Sequence, residues 1–458
     1  MAEMDKRELK VLSPTAILGY GFPISSFKRG LEQNPDFIAV DAGSTDPGPY
    51  YLGAGVSFTD REAVKRDLKL MLEAGQDLDI PVLVGSAGGS GANAHLKWTE
   101  NIIREIASEN KLNLRLALIE AEFSKDEILK KYDAGEIGPL FPAEEISRDK
   151  IKATTRIVGQ MGVEPIISAL DKELDIVLAG RAYDPSVFAA GAIRSNYSPG
   201  LALHMGKILE CASIAADPGS GSDCMLGTLR EDSFILEPMN LKRRCTVTSV
   251  AAHTLYEKSN PYKLAGPGGI IDLTESNFKQ LDERRVEVKG SKFIKDDIYR
   301  VKLEGAIKVG YRTISIAGTR DAIMISQIDE ITEAVKDMVR DNFSDMKEGR
   351  DFDLLFRIYG RDGVMGSLEP VKESSNHELG IIIEVVARTQ EMANTICSFA
   401  RSSMLHYGYP GRVATAGNLA FPYSPSDFKA GAVYEFSLNH LIDIEDPVGT
   451  FPLKIIDL

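Results

Sequence analysis

Short hydrophobic runs alternate with longer amphipathic segments through the first half of the chain. The amphipathic segments repeat apolar residues every three or four positions, which is typical of helices that pack one face on a core. The hydrophobic runs are continuous, as in strands buried on both faces, and they occupy residues 15–21, 36–41, 81–85, 114–119 and 175–180. Strands separated by helices indicate βαβ units. We therefore predict an α/β fold whose N-terminal sheet is mostly parallel and covered by helices.

The pattern changes near residue 245. Beyond that point, β-like segments follow one another across short turns, with only a few helical stretches between them. Strands in groups with a few helices are typical of α+β domains. We expect an α/β domain over residues 1–245 and a smaller α+β domain over residues 246–458.

Helix boundaries can be read from capping residues. Thr59 and Glu62 have the spacing of a capping box before the helix at residues 58–79. Asp184 and Pro185 suit the N-cap and the first position of a later helix. Apolar spacing also predicts a helix over residues 148–162.

Polar side chains follow four of the predicted strands, at the point where each strand ends. In open α/β sheets, ligands bind beyond the carboxyl ends of the strands, so these residues are expected to face one crevice. The residues in question are Asp41, Ser44, Thr45 and Asp46, the loop 85–95, Glu120, and Arg181 with Asp184. Asp and Gly also end strands and cap helices without any functional role, and that alternative stays open for each residue taken alone.

The loop 85–95 is rich in glycine and leads into a helix. Gly88, Gly89 and Gly91 would let the backbone approach an anionic group, and Asn93 stands at the helix start, where N–H groups attract anions. Residues 89–94 also fit the pattern G-x-G-x-x-A of dinucleotide-binding loops. The strand ends several residues too early for that pattern, and no G-K-[ST] closes a P-loop.

The second half of the chain offers further candidates. His253 lies among small apolar residues and is either a catalytic base or a histidine of the core. The loop 406–428 combines glycine, proline, tyrosine and polar residues, and it is long enough to suggest a function. Within it, Arg412 is a candidate clamp for a substrate carboxylate, and Asn418 a second substrate-binding residue.

His204, Lys207 and Glu210 stand at helical spacing before another glycine-rich loop. They form either a solvated helix face or part of a site.

Carboxylates dominate the candidate catalytic residues, which are Asp41, Asp46, Glu120, Asp184 and, as a non-carboxylate, His253. Oxygen ligands of this kind suit a divalent cation such as Mg²⁺. Crowded acids also raise one another's pKa and so provide a general base or acid near neutral pH. The sequence leaves both roles open.

Composition and net charge limit the classes of binding partner that can be expected. The net charge is −14 and the isoelectric point about 5.1, which argues against nucleic acid and anionic membrane as partners. No run of about 18 apolar residues is present. The charged N-terminal residues do not resemble a secretory signal, and the scattered cysteines contain no C-x-x-C motif. We expect a cytoplasmic protein with reduced thiols.

Long motifs then give a resemblance that runs over almost the whole chain. They include VDAGSTDPGPYYLG, GSAGGSGANAH, VLAGRAYDPSVFAA, KILECASIAADPGSGSDCMLGTLR, YGRDGVMGSLEP and YPGRVATAGNLAFP. Together they resemble the acyclic terpene utilisation AtuA family. That family is named for the degradation of citronellol- and geraniol-type terpenes through CoA thioesters and carboxylic acids.

The resemblance also implies partners. Members occur with a separate small subunit of about a hundred residues, the size of one domain, or with a fused ferredoxin-like domain. This chain has no clear extra appended domain, so a separate small subunit is expected. A homo-oligomer is expected as well.

Three functions follow from these observations. The first is a lyase of the hydratase/dehydratase type that acts on a small anionic substrate, a hydroxy-carboxylate or its CoA ester. The second is an NAD(P)-linked oxidoreductase that uses residues 85–120. The third is a non-catalytic subunit of a multi-enzyme assembly.

Overall fold

The computed structural model describes residues 8–140, 142–143, 145–255, 260–371 and 376–458. The chain forms two compact units. The first takes in the chain up to Ile307 together with Phe436–Leu458, and the second is Lys308–Glu435. The units begin and end at other residues than the predicted domains 1–245 and 246–458 do.

The strands that begin in the first unit are β1 Leu9–Ser13, β2 Phe37–Asp41, β3 Val82–Gly85, β4 Arg115–Ile119, β5 Ile137–Pro139, β6 Arg156–Gly159, β7 Ile176–Ala179, β8 Met225–Leu229, β9 Ser233–Pro238, β10 Lys263–Gly266, β11 Gly269–Asp272, β12 Asn277–Gln280, β13 Val286–Lys289, β14 Lys292–Lys295 and β15 Arg300–Thr319. Strand β19 Leu453–Asp457 also belongs to the first unit, and the remaining strands are β16 Phe352–Tyr359, β17 Leu379–Ala387 and β18 Asp427–Asp443.

The helices of the first unit are α1 Ile24–Leu31, α2 Pro49–Ala54, α3 Arg61–Leu78, α4 Asn93–Asn110, α5 Lys125–Asp133, α6 Arg148–Ala153, α7 Glu164–Leu170, α8 Ser186–Arg194, α9 Pro199–Leu209 and α10 Val247–Leu255. Those of the second unit are α11 Ala322–Ser326, α12 Ile328–Asn342 and α13 Gln390–His406.

A ten-stranded sheet forms the centre of the first unit, in the order β12-β13-β9-β8-β1-β2-β3-β7-β4-β19. The strands β1, β2, β3, β7 and β4 are parallel to their neighbours in this group. The flanking strands on both sides pair antiparallel. The prediction of a mostly parallel sheet is therefore wrong, and the sheet is mixed.

The error has a physical source. Strands β8 and β9 are almost entirely buried and follow a glycine-rich loop, so their sequence lacks the alternation that marks a hairpin. Strand β19, at the end of the chain, pairs with β4 over residues far apart in sequence. Pairing at that separation leaves no local signal.

Helices cover both faces of the parallel strands. Side chains alternate between the faces of a strand, and the two faces accordingly belong to two apolar clusters. Val11, Ala39 and Leu83 pack in the cluster that contains α7, α8 and α9. Leu12 and Val40 pack in the cluster that contains α3 and α4. The buried character of the predicted strands thus reflects helices on both sides.

Several predicted boundaries need correction. The first strand is Leu9–Ser13, and residues 15–21 form turns and bends instead. The N-cap of α3 is Asp60, whose carboxylate accepts a hydrogen bond from the Ala63 N–H, so Thr59 and Glu62 do not form the predicted capping box. The predicted helix 148–162 divides into α6 and β6.

The second unit has the order β-α-β-β-α-β along the chain, counting α11 and α12 as one helical segment. Its strands are arranged β16-β17-β15-β18, which is the split βαβ arrangement of ferredoxin-like folds. The pairs β15–β17 and β16–β17 are antiparallel. Apolar side chains of α12 and α13 pack on the sheet in one cluster. The predicted α+β character is present here as a compact unit within the chain.

Cys224, Cys245 and Cys397 are free thiols. Cys224 and Cys245 are buried in the first unit, and Cys397 is buried in the second. Burial raises the pKa of the Cys245 and Cys397 thiols to about 12. Among the described residues, no helix combines the length and the apolar character that a membrane span requires.

Candidate functional site

The glycine loop after β3 is buried and packs on the segment that follows β7. Residues 86–92 are buried throughout. Gly91 has a φ of +64°, and a Cβ at this position would lie 2.0 Å from the Arg181 backbone nitrogen. The Arg181 N–H donates to the Gly91 carbonyl at 3.0 Å. The close approach that Gly91 permits is therefore to the protein's own backbone.

The other glycines of this loop have a similar role. A Cβ on Gly88 would meet the His95 Cβ at 2.9 Å, and a Cβ on Gly89 would meet the Phe58 ring at 2.5 Å. Both have positive φ, at +60° and +95°. Their lack of a side chain lets the loop fold tightly against neighbouring residues.

Two glutamate side chains contact the N-terminus of α4. The Asn93 N–H donates to Glu122 Oε2 at 2.8 Å, and Asn93 Nδ2 lies 3.5 Å from Glu120 Oε2. Anions are favoured at helix N-termini. Here the chain supplies that anion itself, so Glu120 and Asn93 belong to this helix start.

Arg181 is the buried cation at the strand-end edge. Its side chain is 2% exposed. Nε donates to Glu304 Oε2 at 2.7 Å, and Nη1 donates to Ser86 Oγ at 3.0 Å and to Asp184 Oδ1 at 2.9 Å. Burial lowers the pKa of Arg181, but Glu304 and Asp184 together raise it by more, so the guanidinium stays charged. Asp184 thus pairs with Arg181, and the N-cap of α8 is Pro185.

Glu304 collects the donors around Arg181. Thr45 Oγ1 donates to its Oε1 at 3.0 Å, Gln160 Nε2 at 3.3 Å, and Lys302 Nζ lies at 2.9 Å. Burial alone would raise the pKa of this carboxyl, but Arg181 and Lys302 lower it to about 2. Glu304 is therefore ionised at every physiological pH.

The pKa of Asp41 is shifted in the opposite direction to that of Glu304. The carboxyl is buried, Oδ2 accepts from the Gly43 N–H at 3.2 Å, and Oδ1 has no hydrogen-bond partner among the described residues. Burial raises its pKa well above 3.8, Asp184 and Glu210 raise it further, and Arg181 only partly opposes them. Asp41 is thus a carboxyl that tends to keep its proton.

A charged cavity of about 310 Å³ opens beside these residues. Its lining consists of Asp46, Gln160, Arg181, Tyr183, Asp184, Lys207, Glu210 and Lys302. Lys207 and Glu210 form an ion pair in which both side chains are almost fully buried. They are therefore part of the site, and the alternative of a solvated helix face is wrong. Burial and the charge of Glu210 also raise the pKa of Tyr183.

The structure brings together five of the predicted residues: Asp41, Thr45, Asp46, Arg181 and Asp184. Asp41 interacts electrostatically with Arg181 and Asp184, Thr45 contacts Glu304, and the other three line the cavity. Ser44 Oγ accepts from the Asp46 N–H at 3.1 Å and so shapes the turn that carries Asp46.

His253 is buried on α10 and is not among the residues that line the charged cavity. Its predicted role as a base stays a prediction.

The loop 406–428 lies in the second unit and is braced by its own contacts. Arg412 Nη1 donates to the carbonyls of His406 and Tyr407, both at 2.7 Å, and Nη2 donates to the Ala416 carbonyl. Asn418 donates to the Tyr409 hydroxyl. The guanidinium of Arg412 thus stabilises the loop, and its predicted role as a carboxylate clamp stays a prediction.

Sequence reasoning missed Gln160, Lys302 and Glu304 as site residues, and within the predicted loop 85–95 it selected the glycines and Asn93 instead of Ser86. Lys302 and Glu304 stand two apart on β15 and share a face, which is a signal that a strand pattern contains. Their proximity to Arg181 arises because residues Leu303–Ala306 pair with β6. Nothing local in the sequence predicts that pairing.

Metal ligands are a separate question. Within the described part of the chain, no group of three or more His, Cys, Asp or Glu residues is placed to hold a metal ion. The carboxylates that line the cavity alternate with cations, as Asp184 does with Arg181 and Glu210 with Lys207. A role for Mg²⁺ stays a prediction.

A family profile described as acyclic terpene utilisation family protein AtuA matches residues 61–220 and 232–424. This is more than half of the chain, so the chain belongs to the AtuA family, and the resemblance seen in its motifs is confirmed. No curated protein matches the chain, and no solved structure matches it.

Proposed function

We propose that this member of the AtuA family is a lyase of the hydratase/dehydratase type, acting on a hydroxy-carboxylate or its CoA ester. The observation that carries the proposal is the contrast between Asp41 and Glu304. The same cluster raises the pKa of one carboxyl and lowers the pKa of the other to about 2. Carboxyls whose pKa values are pushed apart are typical of acid–base sites. Here Asp41 would supply the acid, Glu304 stays the charged partner of Arg181 and Lys302, and a carboxylate of the cavity would supply the base.

The cavity suits an anionic substrate. Lys207 and Lys302 both line it, although each is paired with a glutamate. A substrate carboxylate can share these ammonium groups, because each ammonium has three donors. Such sharing would fix the carboxylate next to Asp184 and Glu210.

The proposed dehydration involves two proton transfers, one from the substrate carbon to a base and one from an acid to the leaving hydroxyl. A carboxylate of the cavity, Asp184 or Glu210, takes the proton from the carbon next to the substrate carboxyl. The C–H electrons form the new double bond while the C–O bond at the neighbouring carbon breaks. The hydroxyl leaves as water with a proton from Asp41, delivered through a water molecule because Asp41 is not among the residues that line the cavity. Hydration is the reverse sequence.

The glycine loop favours this proposal over a dinucleotide-dependent oxidoreductase. Gly91 faces the Arg181 backbone, and the start of α4 holds Glu122. A pyrophosphate would need both of these positions. The charged cavity likewise gives a reason to expect catalysis from this chain and not only a scaffolding role.

The proposal has three further parts. The family resemblance supports a separate small subunit, the scattered cysteines support a cytoplasmic location, and we include a homo-oligomer. Mg²⁺ is included as a possible activator, because carboxylates such as Asp46 lie at the exposed side of the cavity.

The test is an assay of enoate formation from a panel of hydroxy acids and their CoA esters, with Mg²⁺ or with EDTA. Asp41→Asn should lower kcat by about 10²–10⁴-fold, the range typical for loss of a general acid or base. Absence of turnover across the panel would contradict the proposed reaction.

The matched control is Asp171→Asn. Asp171 is an exposed aspartate paired with Arg194 outside the cavity. Its loss should leave kcat unchanged. Equal loss of activity in both variants would show that the effect of Asp41→Asn is not local to the site.

A further inference from the structure

A second cavity in the first unit is largely apolar. It has a volume of about 270 Å³ and is lined by side chains that include Ile193, Leu203, Ile271 and Phe293. Of its polar lining groups, the Tyr299 hydroxyl donates to Glu164 Oε2 at 2.6 Å. Apolar side chains make up most of the lining, so the cavity offers a largely apolar volume.

Tyr183 lines both this apolar cavity and the charged cavity, so its side chain stands between them. Its ring lies against Gly266, where a Cβ would stand 2.7 Å from Tyr183 Cε1. On the other side it shares the charged cavity with Lys207 and Glu210. A molecule with one apolar and one ionic end could therefore occupy both cavities past a single side chain.

Ser186 gives an independent sign of a ligand. The residue is fully buried at the start of α8 and lines the apolar cavity. Its Oγ has no hydrogen-bond partner among the described residues. A buried hydroxyl without a partner is costly, so a ligand oxygen at this position would complete the site.

We infer that the substrate is a hydroxy acid with a hydrocarbon tail, and that the tail occupies this apolar cavity while the carboxylate lies in the charged cavity. An apolar cavity of about 150 Å³ holds benzene, so the volume here suits a tail of about six to ten carbons. The inference rests on the proposed function for the identity of the ionic end. It excludes small di- and tricarboxylates as the preferred substrates, because they have no apolar portion to bury.

The first experiment is calorimetric titration of the full chain with a series of acids from 3-hydroxybutyrate to 3-hydroxydodecanoate. Malate serves as the probe without a tail. Affinity should rise by about fourfold per added methylene until the cavity is full, which is the factor expected for burial of one CH₂. A flat series, or tighter binding of malate, would overturn the inference.

The second experiment fills the cavity. Ile193 and Ile167 are both partly buried isoleucines on the same core, but only Ile193 lines the cavity. Ile193→Trp should remove the dependence on chain length and leave the affinity for malate unchanged. Ile167→Trp should leave the chain-length dependence intact, and its melting temperature controls for overpacking. Loss of the dependence in both variants, or in neither, would contradict the inference.

Ser186→Ala supplies a milder variant. It should lower the affinity for every 3-hydroxy acid of the series by a similar factor, through loss of a hydrogen bond to the 3-hydroxyl, without changing the increment per methylene. A change in the increment with no common loss would count against the position given to the ligand oxygen.

The two proposals fail differently. Chain-length-dependent binding without enoate formation would support the tail site and contradict the lyase. Turnover of malate or another short acid, with no gain from a tail, would support the lyase and overturn the tail site.

Discussion

Two buried glutamates, one in each unit, stand between two cations. Glu304 in the first unit contacts Arg181 at 2.7 Å and Lys302 at 2.9 Å. Glu384 in the second unit contacts Arg312 at 2.7 Å and Arg357 at 2.8 Å. The contacts alone do not distinguish the two sites.

Burial of the cation does distinguish them. The Arg181 side chain is 2% exposed, whereas those of Arg312 and Arg357 are 39% and 46% exposed. A buried charge that loses its partner has no access to water, but an exposed one recovers its hydration. Glu304 therefore compensates a buried cation, whereas Glu384 pairs with two arginines that remain in contact with solvent.

The largest difference between the two sites is expected in the free energy of unfolding when the charge of each glutamate is removed. Glu304→Gln should lower the free energy of unfolding by about 3–5 kcal/mol, because it leaves Arg181 buried with less compensation. Glu384→Gln should cost about 1 kcal/mol or less, because both arginines reach solvent. Urea denaturation of the two variants measures this directly. Equal losses would refute the role given to burial.

The second prediction concerns the backbone that positions each region. Gly91→Ala should destabilise the chain by about 3 kcal/mol or more, since a Cβ would meet the Arg181 nitrogen at 2.0 Å in addition to the strain of a positive φ. Gly431→Ala in the second unit has a φ of +84° but no atom within 4 Å of the added Cβ, so only about 1–2 kcal/mol is expected. Thermal unfolding of both variants, followed by circular dichroism, checks the contrast.

The third prediction concerns pH. The pKa of Asp41 is raised in the folded chain, so below about pH 3.8 the carboxyl is protonated in both states and has no effect on stability. Above that pH the unfolded chain ionises first, and the wild type loses roughly 1 kcal/mol per pH unit until the folded pKa is reached. Asp41→Asn lacks this loss, so its stability relative to wild type should increase with pH.

The measurement is a series of urea titrations of Asp41→Asn and wild type between pH 4 and pH 8. Asp353→Asn, at an exposed position in the second unit, is the control and should change stability by less than about 0.5 kcal/mol. A constant difference between Asp41→Asn and wild type at every pH would contradict the raised pKa.

The smallest predicted effect is that of salt. Screening acts strongly on exposed charges and weakly on buried ones. Raising NaCl to 1 M should reduce the stability difference between Glu384→Gln and wild type by a few tenths of a kcal/mol. The difference for Glu304→Gln should stay unchanged within error.

Much of the candidate site was predictable because parallel strands have a common carboxyl edge. The prediction placed Asp41, Arg181 and Asp184 together from this rule alone, and the parallel pairing of β2, β3 and β7 explains why it holds. The rule says nothing about residues that come from antiparallel strands. Glu304, which collects the donors around Arg181, lies on β15 and was therefore missed.

The roles of the glycine loop and of Lys207 depended on tertiary burial. A sequence with Gly88 and Gly91 before a helix has the same local pattern whether it receives a phosphate or a neighbouring loop. Lys207 and Glu210 at helical spacing look the same on a solvated face as in a buried pair. Only the surrounding packing distinguishes these alternatives. That packing involves segments about 90 or more residues away, such as the contact between Gly91 and Arg181.

The buried thiols give each unit its own reporter of transient opening. A thiol reagent attacks a thiolate that it can reach, and burial denies Cys224, Cys245 and Cys397 both access and ionisation. Alkylation in native buffer must then wait for a local or global opening event. Mass spectrometry of the labelled peptides would give one labelling rate for the first unit and another for the second. The chain therefore carries built-in probes of whether its two units unfold as one cooperative body or as two.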